Sequence, residues 1–341
     1  MSETRPVLGI TMGDPAGVGP EVILKALQHK EVYELCVPVV CGDLMWLAKV
    51  ARDLHLPLRV LPDTEGVPDT DLVCVHQATR ANLQNIQYGV LSAEAGRSAA
   101  ESVIVAAHLA QEGVFSAMVT APLNKEAMAM GGYAYPGHTE LLAEVTHTPK
   151  YGMLLVSGAL RVVHVSTHVS LREAIERVRT ARILECIHLG QAGCRQLGIT
   201  EPRIAVAGLN PHAGENRLFG TEDEEEIAPA VLLAQEEGIF ASGPHPPDTI
   251  FARAAQGDFD LVIAMYHDQG HIPVKLHGFD TGVNITLGLP LIRVSVDHGT
   301  AFDIAGRGIA REESLLEALR VATQMVHAKQ TVSPTLKGQH T

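Results

Sequence analysis

Three stretches of this chain begin as apolar, β-branched runs and end in a polar tail that carries a histidine. They are Leu160-Arg-Val-Val-His-Val-Ser-Thr-His168, Arg203-Ile-Ala-Val-Ala-Gly-Leu-Asn-Pro-His212 and Leu261-Val-Ile-Ala-Met-Tyr-His267. Runs of this kind read as buried strands of a parallel sheet. In open α/β sheets, ligands bind beyond the carboxyl ends of the strands. His168, His212 and His267 converging there would hold a divalent ion with one coordination position left open. The competing reading is chance placement, since the chain has 17 His. His164 lies inside its run and reads as a packed side chain.

Two glycine-rich segments are the next candidates. Thr11-Met-Gly-Asp-Pro-Ala-Gly-Val-Gly-Pro-Glu21 links a first strand to a first helix. Gly13, Gly17 and Gly19 permit tight turns and close approach to a ligand, and the helix start that follows favours an anion. The segment is neither G-x-G-x-x-G nor a Walker loop with its lysine, so a Rossmann site and a P-loop are unsupported. The second segment, Asp297-His-Gly-Thr-Ala-Phe-Asp-Ile-Ala-Gly-Arg-Gly-Ile-Ala310, lies near the other end. Taken singly, Lys275 and Arg293 read as solvated surface charges and His138 as a surface loop residue. Asp248 and Asp268 are open to two roles, orienting a ligand or accepting a proton. Glu215, near His212, is equally ambiguous.

The assembled motifs are specific. The late glycine-rich segment resembles the adenosine-binding loop of the isocitrate and isopropylmalate dehydrogenases, and Gly13–Glu21 is similar to their Gly-Asp-Gly-Ile-Gly-Pro-Glu start. Further motifs are Thr120-Ala-Pro-Leu-Asn-Lys125, Pro136-Gly-His-Thr-Glu140, Gly208-Leu-Asn-Pro-His-Ala-Gly-Glu215, Ala264-Met-Tyr-His-Asp-Gln-Gly270 and Gly282-Val-Asn-Ile-Thr-Leu-Gly288. Together they resemble the 4-hydroxythreonine-4-phosphate dehydrogenase family over nearly the whole chain. The resemblance implies two α/β/α lobes around a cleft, not a Rossmann fold. It implies NAD on loops formed by Gly13, Asp14, Gly17, Gly19, His298, Gly299, Thr300, Asp303 and Gly306. It implies one divalent metal (Zn, Co or Mg) on His168, His212 and His267, with the ligands drawn from both subunits of a homodimer. Substrate contacts carried over are His138, Thr139, Lys275, Asn284 and Arg293. Lys275, Asp248 and Asp268 are the candidate catalytic groups.

One departure bears on the substrate. The opening reads Met12-Gly-Asp14, where the enzymes of pyridoxal phosphate synthesis show Pro-Gly-Glu. The Met-Gly-Asp form resembles a branch that oxidises 4-phosphorylated sugar acids such as D-threonate and D-erythronate 4-phosphate. Oxidation at C3 of such an acid gives a β-keto acid, which loses CO2 and leaves glycerone phosphate. The alternatives are a 4-hydroxy-L-threonine-4-phosphate dehydrogenase, a phosphotransacetylase-like acyltransferase, and a metal-binding protein without catalysis. The histidines and the late glycine-rich segment argue against the acyltransferase. The Lys275, Asn284 and Arg293 set argues against the non-catalytic protein.

The elements that must position these residues are legible in outline. Strands are expected at Val7–Thr11, Val37–Cys41, Asp71–Val75 and Ala117–Thr120, with a hairpin of Tyr151–Val156 and Leu160–Thr167. Helices are expected from Gly19, over Ser92–Gln111, after the capping box Ser170-Leu-Arg-Glu173, and from Thr221, where the acidic run reads as a solvated first turn. Alternation of strands and helices argues for α/β with a largely parallel sheet. At 341 residues two lobes are expected: 1–125 plus 298–341 carrying the NAD loops, and 126–297 carrying the metal and substrate site and the dimer interface. A net charge of −13 argues against nucleic-acid partners, so the expected ligand is a small anionic phosphorylated molecule. No 18-residue apolar run or signal peptide is found, and the five Cys lack C-x-x-C pairing. A reducing cytoplasm is therefore expected, away from membranes.

Overall fold

The computed structural model describes residues 5–278 and 281–332. Its strands are β1 (Val7–Thr11), β2 (Val37–Gly42), β3 (Arg59–Pro62), β4 (Leu72–Gln77), β5 (Ala117–Thr120), β6 (Gly152–Ser157), β7 (Leu160–His164), β8 (Ile204–Ala207), β9 (Ala241–His245), β10 (Leu261–Ala264), β11 (Val283–Leu287) and β12 (Arg293–Val296). The described residues divide into two compact units, 5–149 with 289–327, and 150–278 with 281–288 and 328–332. The lobe boundaries read from the sequence fall at 125/126 and 297/298 and assign His138, Thr139 and Arg293 to the second lobe, whereas these residues lie in the first unit. Residues 1–4 and 333–341 of the expected first lobe lie outside the described residues.

The first unit carries its strands in the order β3-β4-β2-β1-β5-β12, every pairing parallel. β1, β2 and β5 are short and almost wholly buried, as parallel strands covered on both faces must be. The helix Ala93–Gln111 starts where Ser92 Oγ accepts from the Ala95 N–H. Its alanines let it lie close over Cys41, Phe115 and Met118 in the core. β3 and β12 escape a reading by periodicity. β3 is a half-buried edge strand ending in proline, and β12 opens with an arginine that is itself buried.

The second unit runs β11-β6-β7-β10-β8-β9. The expected hairpin forms, with Ser157 opposite Leu160 in antiparallel β6 and β7, but β7 stops at His164 and leaves 165–168 as connection. β7, β10 and β8 are parallel neighbours, with Ala264 beside His164 and Ile263 beside Val206. Their core joins Leu155, Val162, Ala205, Val262, Ile250 and Val274. Ser170 Oγ accepts from the Glu173 N–H and caps the helix Leu171–Glu176.

The acidic run departs from expectation. Asp223–Ile227 forms a π-helical turn, and Asp223 is fully buried. Glu226 accepts from the Thr180 N–H at 2.7 Å and from Arg179 at 3.0 Å. Backbone donors from neighbouring segments thus claim two acids that composition alone marks as solvated. All five cysteines are unpaired and buried, and burial pushes the Cys36, Cys186 and Cys194 thiols up to about 12. Among the described residues no helix is long and apolar enough to cross a membrane.

Candidate active site

In the second unit the three histidines follow the carboxyl ends of three adjacent parallel strands: His168 after β7, His267 after β10 and His212 after β8. His168 and His267 line one cleft of about 500 Å3 with Thr167, Tyr266 and Asp268. Their ring centroids are 5.8 Å apart. A nitrogen bound to Zn at 2.0–2.1 Å puts a ring centroid about 3 Å from the ion, so two ligands at a tetrahedral angle have centroids roughly 5 Å apart. The observed spacing is close to that. His267 Nδ1 donates to Asp268 Oδ1 at 2.7 Å, which leaves Nε2 with its lone pair. A carboxylate on the far nitrogen is the usual way a ligating imidazole is oriented.

His212 sits in a different setting. It belongs to the turn Pro211–Gly214, with φ of 54°, and its ring centroid lies 6.4 Å from that of Phe219. Asp223 secures the start of this loop, accepting from Leu209 N at 2.9 Å, Asn210 N at 3.2 Å and Asn210 Nδ2 at 2.8 Å. Within one chain, and among the described residues, no group of three or more His, Cys, Asp or Glu is arranged to hold an ion. The fold brings His168 and His267 together in one cleft and carries His212 on a separate loop.

The first unit holds a buried cation. Arg293, 2 % exposed, donates from Nε and Nη2 to Thr120 Oγ1 at 3.1 and 2.6 Å. Burial pulls its pKa down while Glu140 opposes this; a guanidinium remains charged at neutral pH. His138 opens the helix His138–Val145. Burial, and then the nearby Arg293, hold its imidazole well below its ordinary pKa, and its buried Nε2 has no hydrogen-bond partner among the described residues. A neutral imidazole, a helix start and a buried guanidinium form a ready site for an anion. Lys275, in the helix His267–His277, and Asn284, on β11, belong to the second unit.

The two glycine-rich segments meet in the first unit. Val18 N donates to Thr300 O at 3.0 Å, and a Cβ on Gly17 would lie 2.8 Å from that same oxygen. Only glycine permits this approach. Glu21, 1 % exposed, accepts from Ala310 N at 2.8 Å and Gly308 N at 3.2 Å. Gly306 lies against the Tyr88 ring. Gly13 has φ of 73°, Gly19 opens the first helix, and Gly299 and Asp303 are exposed. Two buried polar atoms here, Asp14 Oδ2 and His298 Nε2, lack partners among the described residues. One stands on each segment, which fits a polar ligand such as a dinucleotide. Met12 and Asp14 are fully buried.

Residues 34–322 match the family of the pyridoxal phosphate biosynthetic protein PdxA. The chain belongs to the PdxA family. Curated PdxA relatives from Cupriavidus necator and Salmonella typhimurium, both named D-threonate 4-phosphate dehydrogenase, are 48% and 46% identical to it. Each alignment covers 95% of this chain, and 98% and 99% of the relatives. A crystal structure of 4-hydroxythreonine-4-phosphate dehydrogenase from Klebsiella pneumoniae superposes with a TM-score of 0.87 at 43% identity, covering 96% of this chain and 99% of that one. This superposition makes the α/β architecture that of the PdxA fold.

Three residues near the sites of this PdxA chain carry little signal in the sequence. Thr120 ends a strand, and only its pairing with Arg293 gives it meaning. Asp223 is hidden in a charge run. His271 lies four residues after His267, a spacing that brings side chains together on one helix face, and this was the one signal available.

Proposed function

We propose that the chain is an NAD-dependent, metal-assisted D-threonate 4-phosphate dehydrogenase, oxidising C3 and releasing CO2 and glycerone phosphate. The observation that carries this is the His168–His267 pair at 5.8 Å with Asp268 on the far nitrogen of His267, together with relatives of that name at 46–48% identity. D-Erythronate 4-phosphate is the neighbouring substrate in chemistry. The 4-hydroxythreonine phosphate ester is the alternative, favoured by the name of the Klebsiella structure.

Imidazole donors suit Zn or Co better than Mg. His168, His267 and His212 would hold a divalent ion, whose positive charge would stabilise negative charge on the substrate oxygens, and bound NAD would supply the hydride acceptor. The protein's own part is positioning and proton transfer. In the first unit Arg293, oriented by Thr120, and His138 and Thr139 at their helix start bind an anionic group such as phosphate; in the second unit Lys275 and Asn284 are the residues suited to anion contacts. Asp268 is engaged with His267 and reads as its orienter, so Lys275 and Asp248 are the groups left to take the C3 hydroxyl proton. Gly13, Asp14, Gly17 and Gly19, with His298, Gly299, Thr300, Asp303 and Gly306, hold NAD.

The isolated position of His212 supports a homodimer in which the partner completes the metal site. Exposed apolar side chains on the second unit support it too: Leu171, which lines the cleft, and Phe219, beside His212. Unpaired buried thiols support a reducing cytoplasmic location.

The test is the rise in absorbance at 340 nm with NAD and each candidate ester, with CO2 measured alongside. D-Threonate 4-phosphate should give the highest kcat/KM, and chelation should abolish turnover. A preference for 4-hydroxythreonine phosphate of about tenfold, or 1.4 kcal/mol, would overturn the substrate. Full activity after chelation would overturn the metal.

A further inference from the structure

Two histidines outside the predicted ligand set stand directly behind it. The His271 ring stacks on His267 with centroids 3.6 Å apart and planes 10° from parallel. His271 is 8 % exposed, and its Nδ1 donates to the His267 carbonyl at 3.1 Å. That bond fixes both the tautomer and the ring plane. Behind it, His164 is buried, with its centroid 4.6 Å from His271. A Cβ on Gly270 would lie 2.3 Å from His164 Nε2, so glycine at 270 is what lets that ring close up. Neither His164 nitrogen has a hydrogen-bond partner among the described residues. The ring therefore acts by its bulk, backing His271 as His271 backs His267.

We propose that His271 is a positioning residue for the metal site: its ring face, braced by His164, sets the plane of His267 and thereby the affinity for the ion. Asp268 fixes one edge of the His267 ring, but a single hydrogen bond leaves the ring free to swing about that axis. A second ring stacked flat removes this freedom. Ordering a ligand before the ion arrives lowers the entropic cost of binding. Partners that orient a ligand are worth about 10–100-fold in metal affinity. The inference rests on His267 being a ligand, as proposed above.

Two variants of the full chain separate the ring face from the hydrogen bond. His271→Phe keeps a flat ring and loses the donor to the His267 carbonyl; His271→Asn keeps a donor and loses the ring. The probe is Co2+ alone, titrated into metal-free protein, with the dissociation constant and the visible absorption spectrum as readouts. His267→Ala is the control. The expected result is affinity within about threefold of the parent for His271→Phe and a loss of at least about tenfold for His271→Asn, with the Co2+ spectrum of the former like the parent's. Parent-like affinity in His271→Asn, or equal losses in both variants, would overturn the role of the ring. Co2+ binding that survives unchanged in His267→Ala would overturn the ligand assignment itself, and this inference with it.

Discussion

Replacing Asp223 by asparagine tests how the loop carrying His212 is held. The loop places His212, Ala213, Glu215, Asn216 and Arg217 at positive φ, which costs non-glycine residues about 1–2 kcal/mol each, so roughly 5–10 kcal/mol in all. Against this stand the bonds from Leu209 N, Asn210 N and Asn210 Nδ2 to a fully buried carboxylate. Bonds to a charged acceptor contribute about 1.5–3 kcal/mol each, and three of them are comparable to the strain. Asparagine keeps one acceptor, for Leu209, but faces the two Asn210 donors with an amide. A local loss of about 3–5 kcal/mol follows. The assays are amide hydrogen exchange over residues 208–220, circular dichroism and turnover. Exchange in the loop should accelerate by about two orders of magnitude or more, the helix content should stay, and turnover should fall at least about tenfold as His212 is misplaced. Parent-like exchange together with turnover within about twofold would refute the reasoning.

Two further outcomes are expected. Glu21→Ala removes the acceptor for the Gly308 and Ala310 amides and loosens the second glycine-rich segment. KM for NAD should rise about tenfold, as two orphaned amides cost about 1–3 kcal/mol each, while Co2+ affinity stays put; an unchanged KM would sink the idea. Asp14 is buried, and this pushes its carboxyl up to about 6 from 3.8, the Ala16 amide pulling the other way. A pKa raised by folding means that the folded state holds the proton longer than the unfolded chain, so stability falls as pH rises between about 4 and 6. The loss reaches about 3 kcal/mol above that window. Asp14→Asn should therefore gain Tm over the parent as pH goes from 5 to 8, and a pH-independent difference in Tm would contradict this.

Much of this protein is legible in its sequence because the deciding forces are local. An apolar, β-branched run such as Leu261–Ala264 buries itself on both faces, so it becomes a central parallel strand, and the polar residues after it fall at the ligand-binding edge of the sheet. Ser170 and Ser92 cap helices through their own hydroxyls. The ordered motifs carried the family, because each keeps residue types that no packing argument requires.

Tertiary structure decided the rest. Strand adjacency depends on long-range pairing, so the order β7-β10-β8, which puts the three strand ends that lead into the histidines side by side, has no local signature. Nor does the left-handed backbone around His212, because non-glycine residues avoid it unless their surroundings hold them there. Asp223 and Glu226 look solvated until backbone donors from elsewhere in the unit reach them. A bond between Val18 and Thr300 joins segments nearly the whole chain apart. Arg293 reads as a surface cation until β12 carries it inside the first unit, where Thr120 orients it. In each case sequence shows what a side chain can do, and only the fold shows which partner it meets.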